Sequence, residues 1–140
     1  MYNRSEAMNR RALEGREKIL GPVHPDTLIS ISSLAAVLQH QQKYNESEAM
    51  NRRALEGYEK TLGPDHPTTL GSANNLAIVL QYQRKHSESE TVNRRILAGY
   101  EKILGPDHPN TLSSANNLAA VLRCQGRYDE SEEMNRRILE

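Results

Sequence analysis

The chain has 140 residues, 36% of them hydrophobic, with six Tyr and no Trp or Phe, so it lacks the large aromatics that usually fill one thick central core. Lys and Arg number 18 and Asp and Glu number 18, leaving no bulk field to draw the chain to nucleic acid or to an acidic membrane. The one cysteine, Cys124, rules out an intrachain disulfide and a thiolate-based metal centre.

No apolar run approaches the length of a membrane span. The opening MYNRSEAMNRR has no apolar signal region, so a cytoplasmic protein is expected. Asn3-Arg4-Ser5 and Asn45-Glu46-Ser47 match the glycosylation pattern only because the segment that holds them is repeated.

The repeat dominates the sequence. Residues 2–43 and 44–85 are identical at 30 of 42 positions, and 44–85 and 86–127 at 28 of 42. A partial fourth copy runs over 128–140. The chain is thus one array of copies, with no linker between them.

In chain order, each copy predicts two helices. The first opens near residues 2, 44, 86 and 128. In 44–85 its apolar stripe is Met50, Ala54, Tyr58 and Leu62, with Leu55 beside it. Glu48–Arg52 and Glu56–Lys60 stand in the favourable acid-first order on its polar face. Gly63-Pro64 ends it, because Gly tolerates positive φ and Pro cannot continue a helix. The second helix opens after Asp-His-Pro, with Pro67 at the first helical position. Ala73, Leu76, Ala77 and Leu80 then recur at helical spacing. The second helices are predicted over roughly 26–42, 67–84 and 109–126. Short connections at both ends make neighbours antiparallel. About seven antiparallel helices in an all-α solenoid follow, either a long tetratricopeptide repeat or a HEAT-like or armadillo-like unit.

Several residue sets invite a chemical reading. His24, His66 and His108 recur, but equivalent atoms on stacked helices stand roughly 10 Å apart, too far to share one ion. They read as caps of the second helices. Glu46 and Glu48 with Arg52 and Arg53 lie on a repeating polar face rather than in an enclosed, pKa-shifting site. GPDHP has too few glycines to cradle a phosphate. The Arg10-Arg11, Arg52-Arg53, Arg94-Arg95 and Arg136-Arg137 ladder is preceded by acids and has no interleaved aromatics, which favours ion pairing over nucleic acid. Cys124 occupies the position of His40 and Tyr82 and reads as an ordinary side chain. Neither catalysis nor a cofactor is expected.

Asn74-Asn75 and Asn116-Asn117 need a reason, because Asn is a poor mid-helix residue. An Asn amide both donates and accepts, so it can pair with the backbone of an extended peptide. The alternative is a bond to the adjacent helix that holds the stack.

Leu76-Ala77 followed by Leu80, the small Ser89, and the Gly126-Arg127-Tyr128 junction follow the tetratricopeptide order of large and small residues. The 42-residue period, the connector LGPDHP and the run NNLA together resemble the tetratricopeptide repeats of kinesin light chains and their fungal and bacterial relatives. MNRRALEG resembles the fungal arrays most, which often form the sensor end of nucleotide-dependent signalling proteins. The chain departs from the pattern at Asn51, Asn93 and Asn135, where an aromatic is usual, and at Ser32-Ser33 in place of the Asn pair.

The resemblance implies a right-handed α-α superhelix. The NNLA helices line its concave groove and the RRALEG helices pack behind. It implies a scaffold that binds a protein or an extended peptide. The implied groove residues are Asn74, Asn75, Ile78, Gln81 and Tyr82, then Asn116, Asn117, Ala120, Arg123 and Cys124, with Ser32, Ser33, Gln39 and His40 from the first copy. The alternative is a structural spacer or self-assembly segment of a larger array, possibly the sensor region of a signalling NTPase. Apolar stripes at the two terminal helices predict self-association through the ends.

Overall fold

A computed structural model describes residues 2–139. Seven helices follow one another: α1 (Tyr2–Leu20), α2 (Pro25–His40), α3 (Tyr44–Leu62), α4 (Pro67–Tyr82), α5 (His86–Leu104), α6 (Pro109–Cys124) and α7 (Tyr128–Leu139). Each packs chiefly on the helices before and after it in sequence. Short-range packing of this kind is the mark of a solenoid.

The local signals act as the residue types dictate. The second helix of each copy starts with Pro, and the preceding His caps it. Nδ1 of His24, His66 and His108 accepts the N–H of Asp26, Thr68 and Asn110, each at 3.1 Å. Gly21, Gly63 and Gly105 close the first helices with φ near 90°, and for Gly63 and Gly105 ψ is near 160°. That backbone region is essentially reserved for glycine.

The second helices end two residues earlier than the hydrophobic pattern predicts, at His40, Tyr82 and Cys124. Gln42, Arg84 and Gly126 take φ values of 64°, 60° and 78°. The following amides of Lys43, Lys85 and Arg127 then reach back to Leu38, Leu80 and Leu122 at 2.9 Å. This is the six-to-one bond of a Schellman motif. It turns the chain straight into the next first helix.

The core is three thin layers, not one mass. The first joins Leu13 to Leu28, Ile31, Leu34 and Leu38, and to Ala54 and Tyr58. The second joins Leu55 to Ala73, Leu76, Val79 and Leu80, and to Ile96. The third joins Leu97 to Ala115, Leu118, Ala119 and Leu122, and to Met134. Each even-numbered helix is thus held between two odd-numbered ones. A buried hydroxyl pins each pair: Ser47, Ser89 and Ser131 donate to the carbonyls of Ala35, Ala77 and Ala119.

The expected stripe on α3 is buried at Ala54, Leu55 and Tyr58, with Met50 packed against the first layer, and fails only at Leu62. Leu62 is exposed, while Ser47, Asn51, Ala54, Leu55, Gly57 and Tyr58 are buried. Small residues let the helices approach closely, which hydrophobicity alone does not signal.

Candidate functional site

The even helices bury two sides and leave a third open. On α4 that side is Gly71, Asn74, Asn75, Ile78, Gln81 and Tyr82; the equivalents on α2 start at Ile29 and those on α6 at Ser113. Asn75, Ile78, Tyr82, Asn116, Asn117, Arg123 and Ser33 are exposed, and Asn74, Gln81 and Gln39 are partly so. No hydrogen bond from Asn74, Asn75, Asn116 or Asn117 reaches an adjacent helix among the described residues.

Four hollows line this face, in two kinds that repeat by one copy. Between α2 and α4, a hollow of about 170 Å³ is bounded by Ser32, Ala36, Gln39, Asn51, Asn75 and Ile78. Its equivalent between α4 and α6, about 300 Å³, is bounded by Asn74, Ile78, Gln81, Asn93, Asn117 and Ala120. The second kind lies toward the helix N-termini. A hollow of about 680 Å³ includes Ser33, Tyr58, Ser72 and Asn74, and one of about 130 Å³ includes Tyr100, Ser114 and Asn117. Of the groove residues expected from sequence, Tyr82, Asn116, Arg123 and Cys124 border none of the four.

The floor of these hollows comes from the odd helices, which sequence reading had placed behind. Asn51 and Asn93 are buried there. The Asn93 amide donates to the Ser89 carbonyl at 2.9 Å, which fixes its orientation and turns its oxygen away from that bond. The signal was present as a departure from the usual aromatic at this position. Tyr58 and Tyr100 complete the floor, and burial pushes the Tyr58 phenol pKa upward.

No Lys, Arg, Asp or Glu borders any of the four hollows. The charges are paired elsewhere. Glu48 accepts from Arg52 at 2.7 Å and from Lys85 at 2.9 Å, and Arg52 continues to Glu88 at 2.8 Å. Glu6, Arg10, Lys43 and Glu46 repeat this in the first copy, and Glu90, Arg94, Arg127 and Glu130 in the third. The second arginine of each pair reaches the preceding copy: Arg53 to Glu17, Arg95 to Glu59 and Arg137 to Glu101. The double-arginine ladder is therefore an ion-pair ladder. Partial burial pushes the Glu48 carboxyl up, but the bonds from Lys85, Arg52 and Gln83 outweigh it and hold it at about 2.

Cys124 is exposed, with Gln81 Nε2 3.9 Å from its sulfur. Tyr82 stacks on Tyr44 with ring centroids 5.3 Å apart. Among the described residues, no three His, Cys, Asp or Glu side chains are grouped to hold a metal ion. Among the described residues, no helix is long and apolar enough to cross a membrane.

Comparison with known proteins agrees with this architecture. Tetratricopeptide-repeat family models match residues 26–102, 71–140 and 2–26. No curated protein matches. Among solved structures, the nearly identical TPR-like repeats of a kinesin-light-chain-like protein from Podospora anserina superpose with a TM-score of 0.88 at 24% identity, over 98% of this chain and 65% of that one. BtubC of P. vanneervenii superposes with a TM-score of 0.89 at 18% identity, over 98% of this chain and 55% of that one. This chain therefore spans less than two thirds of either neighbour, and the likeness is not confined to fungi. With family models covering the whole repeat region and the same helical stack in both neighbours, the chain belongs to the tetratricopeptide repeat family.

Proposed function

We propose that this chain is a cytoplasmic binding scaffold whose groove holds an extended polypeptide. Tetratricopeptide repeats are in general protein-interaction scaffolds. The observation that carries the finer reading is the set of amides on Asn74, Asn75 and Asn117. They border consecutive hollows and have no side-chain hydrogen-bond partner among the described residues. Each can give and take a hydrogen bond, which matches the N–H and C=O of a peptide unit whatever its side chain. Ser33 and Gln39, then Ile78 and Gln81, continue the same line.

Selection from a random-peptide display library on the immobilised chain tests this. Recovered peptides should bind the parent and lose about tenfold in affinity on the Asn75→Ala/Asn117→Ala variant, whose helicity and melting stay close to the parent's. A library that yields no peptide, or a variant that fails to fold, overturns the reading.

The ion-pair ladders favour a second reading, a spacer or self-assembly segment of a longer array, because they tie every copy to the next. A sensor region of a signalling NTPase is one such setting.

A further inference from the structure

The three copies differ at one buried hydroxyl. Ser30, Ser72 and Ser114 are equivalent and all buried. In the first copy Ser30 Oγ accepts from Arg16 Nη1 at 2.5 Å, and the same guanidinium reaches the Asp26 carbonyl at 3.3 Å. In the second and third copies the position of Arg16 holds Tyr58 and Tyr100. There Ser72, 5% exposed, and Ser114, 3% exposed, have no hydrogen-bond partner for Oγ.

A buried hydroxyl without a partner is costly, and alanine in its place is cheaper. Ser72 and Tyr58 both border the largest groove hollow, about 680 Å³, with Ser33, Asn74 and Asn75 on its walls. Ser114 borders the equivalent hollow one copy on, with Asn117. Unused hydrogen-bonding capacity thus lies at the groove wall in both complete joints between inner helices.

Resting on the extended-polypeptide reading, we infer that the groove selects a polypeptide segment rich in uncharged hydrogen-bonding side chains: Ser, Thr, Asn and Gln. A charged side chain entering these hollows would shed water and meet no carboxylate, ammonium or guanidinium, since no Lys, Arg, Asp or Glu borders them and His40 is the one histidine that does. An aliphatic side chain would leave Ser72 and Ser114 still unpaired. A hydroxyl or carboxamide side chain satisfies them, as the Arg16 guanidinium satisfies Ser30. A neutral glycan shares the hydroxyl chemistry but stacks on open aromatic faces, and the exposed groove aromatic Tyr82 has one face covered by Tyr44.

Fluorescence anisotropy with labelled synthetic peptides on the whole chain tests the inference. A neutral peptide of Ser, Asn, Thr and Gln should bind at least about tenfold more tightly than versions carrying Glu, Lys or Leu at alternate positions. Ser72→Ala/Ser114→Ala should weaken that binding about tenfold while melting at or above the parent temperature, because it removes unpaired buried hydroxyls. Ser30→Ala should leave peptide affinity unchanged. Tightest binding of a charged or leucine-bearing peptide overturns the selectivity and leaves the extended-polypeptide reading standing. A double variant that binds equally well, or that melts lower, shows the hydroxyls to be structural and overturns the inference. Binding of a neutral oligosaccharide with no peptide binding overturns both readings.

Discussion

Gly99 of α5 lies directly under Leu70 of α4, so that a methyl group on Gly99 would stand 2.9 Å from Leu70 Cδ2. Gly57 meets Leu28 still more closely, whereas Gly15, the equivalent in α1, has open space around it. Alanine therefore acts in opposite directions at equivalent positions. Gly15→Ala should stabilise by about 0.5–1 kcal/mol through helix propensity. Gly57→Ala should destabilise by about 1 kcal/mol or more, because Leu28 is fully buried and must leave its rotamer. Thermal melts of the two variants check the sign; equal shifts would remove the close approach as a cause.

At the connector, strain is purely conformational. Gly63 has φ 91° and ψ 161°, and nothing stands within 4 Å of a Cβ placed there. Gly63→Val should cost about 1–3 kcal/mol. A variant that melts like the parent would mean that the connector re-forms with another backbone path.

The histidine caps predict a cost that one residue type should rescue. His66→Ala removes the acceptor for the Thr68 N–H and should cost about 1 kcal/mol. His66→Asp should keep most of the stability, since a carboxylate accepts the same bond and suits a helix N-terminus. Urea melts of both variants test this, and equal losses would argue against capping.

Acid should loosen the ion pairs inside each copy. Bonds from Arg10 and Lys43 hold Glu6 at about 2, and bonds from Lys85 and Arg52 overcome burial to hold Glu48 at about 2. Both values lie below the unfolded value near 4.5, so this stabilisation is complete above pH 4.5 and is lost as pH falls toward 2. Glu48→Gln should lower stability at neutral pH by about 1 kcal/mol or less and flatten the acid limb. A melting-temperature profile from pH 7 to about 2 reads both; parallel profiles for parent and variant would sink the assignment.

On α1 the expected stripe is open, with Met8 at 65% and Ile19 at 82% exposure, whereas on α7 Met134 is buried and Ile138 packs against the third layer, leaving Leu139 at 87%. We expect the chain to self-associate through these ends, by isologous pairing or by exchange of a helix. Light scattering across a concentration series decides the matter, and a strict monomer at high concentration refutes it.

The seven helices were legible because their signals are local: the 42-residue period, Gly and Pro at each connector, and His before Pro. The open face of the inner helices was legible because NNLA interrupts an apolar run with polar residues at helical spacing. The floor of the groove was not. Asn51 and Tyr58 reach it because α3 turns a face of small residues inward, and Ser47 and Ala54 carry little hydrophobic signal. The cross-copy partners of Arg52 and Arg53 were also hidden: Glu88 and Glu17 are 36 residues away, and only the stacking geometry brings them together.

Because Arg10 meets Glu46 as Arg52 meets Glu88, and Arg53 meets Glu17 as Arg95 meets Glu59, the ion pairs of every seam are interchangeable. Excision of residues 44–85 would join Lys43 to His86 and offer Glu88 to Arg10, Glu17 to Arg95 and Ala35 to Ser89, each a pairing of the kind already present. Such a chain can change length in whole 42-residue steps, by unequal recombination of its coding sequence, and keep the ion pairs of every joint, while the new layer would set Ile31 with Ile96 where the present ones set Ile31 with Ala54 and Ala73 with Ile96.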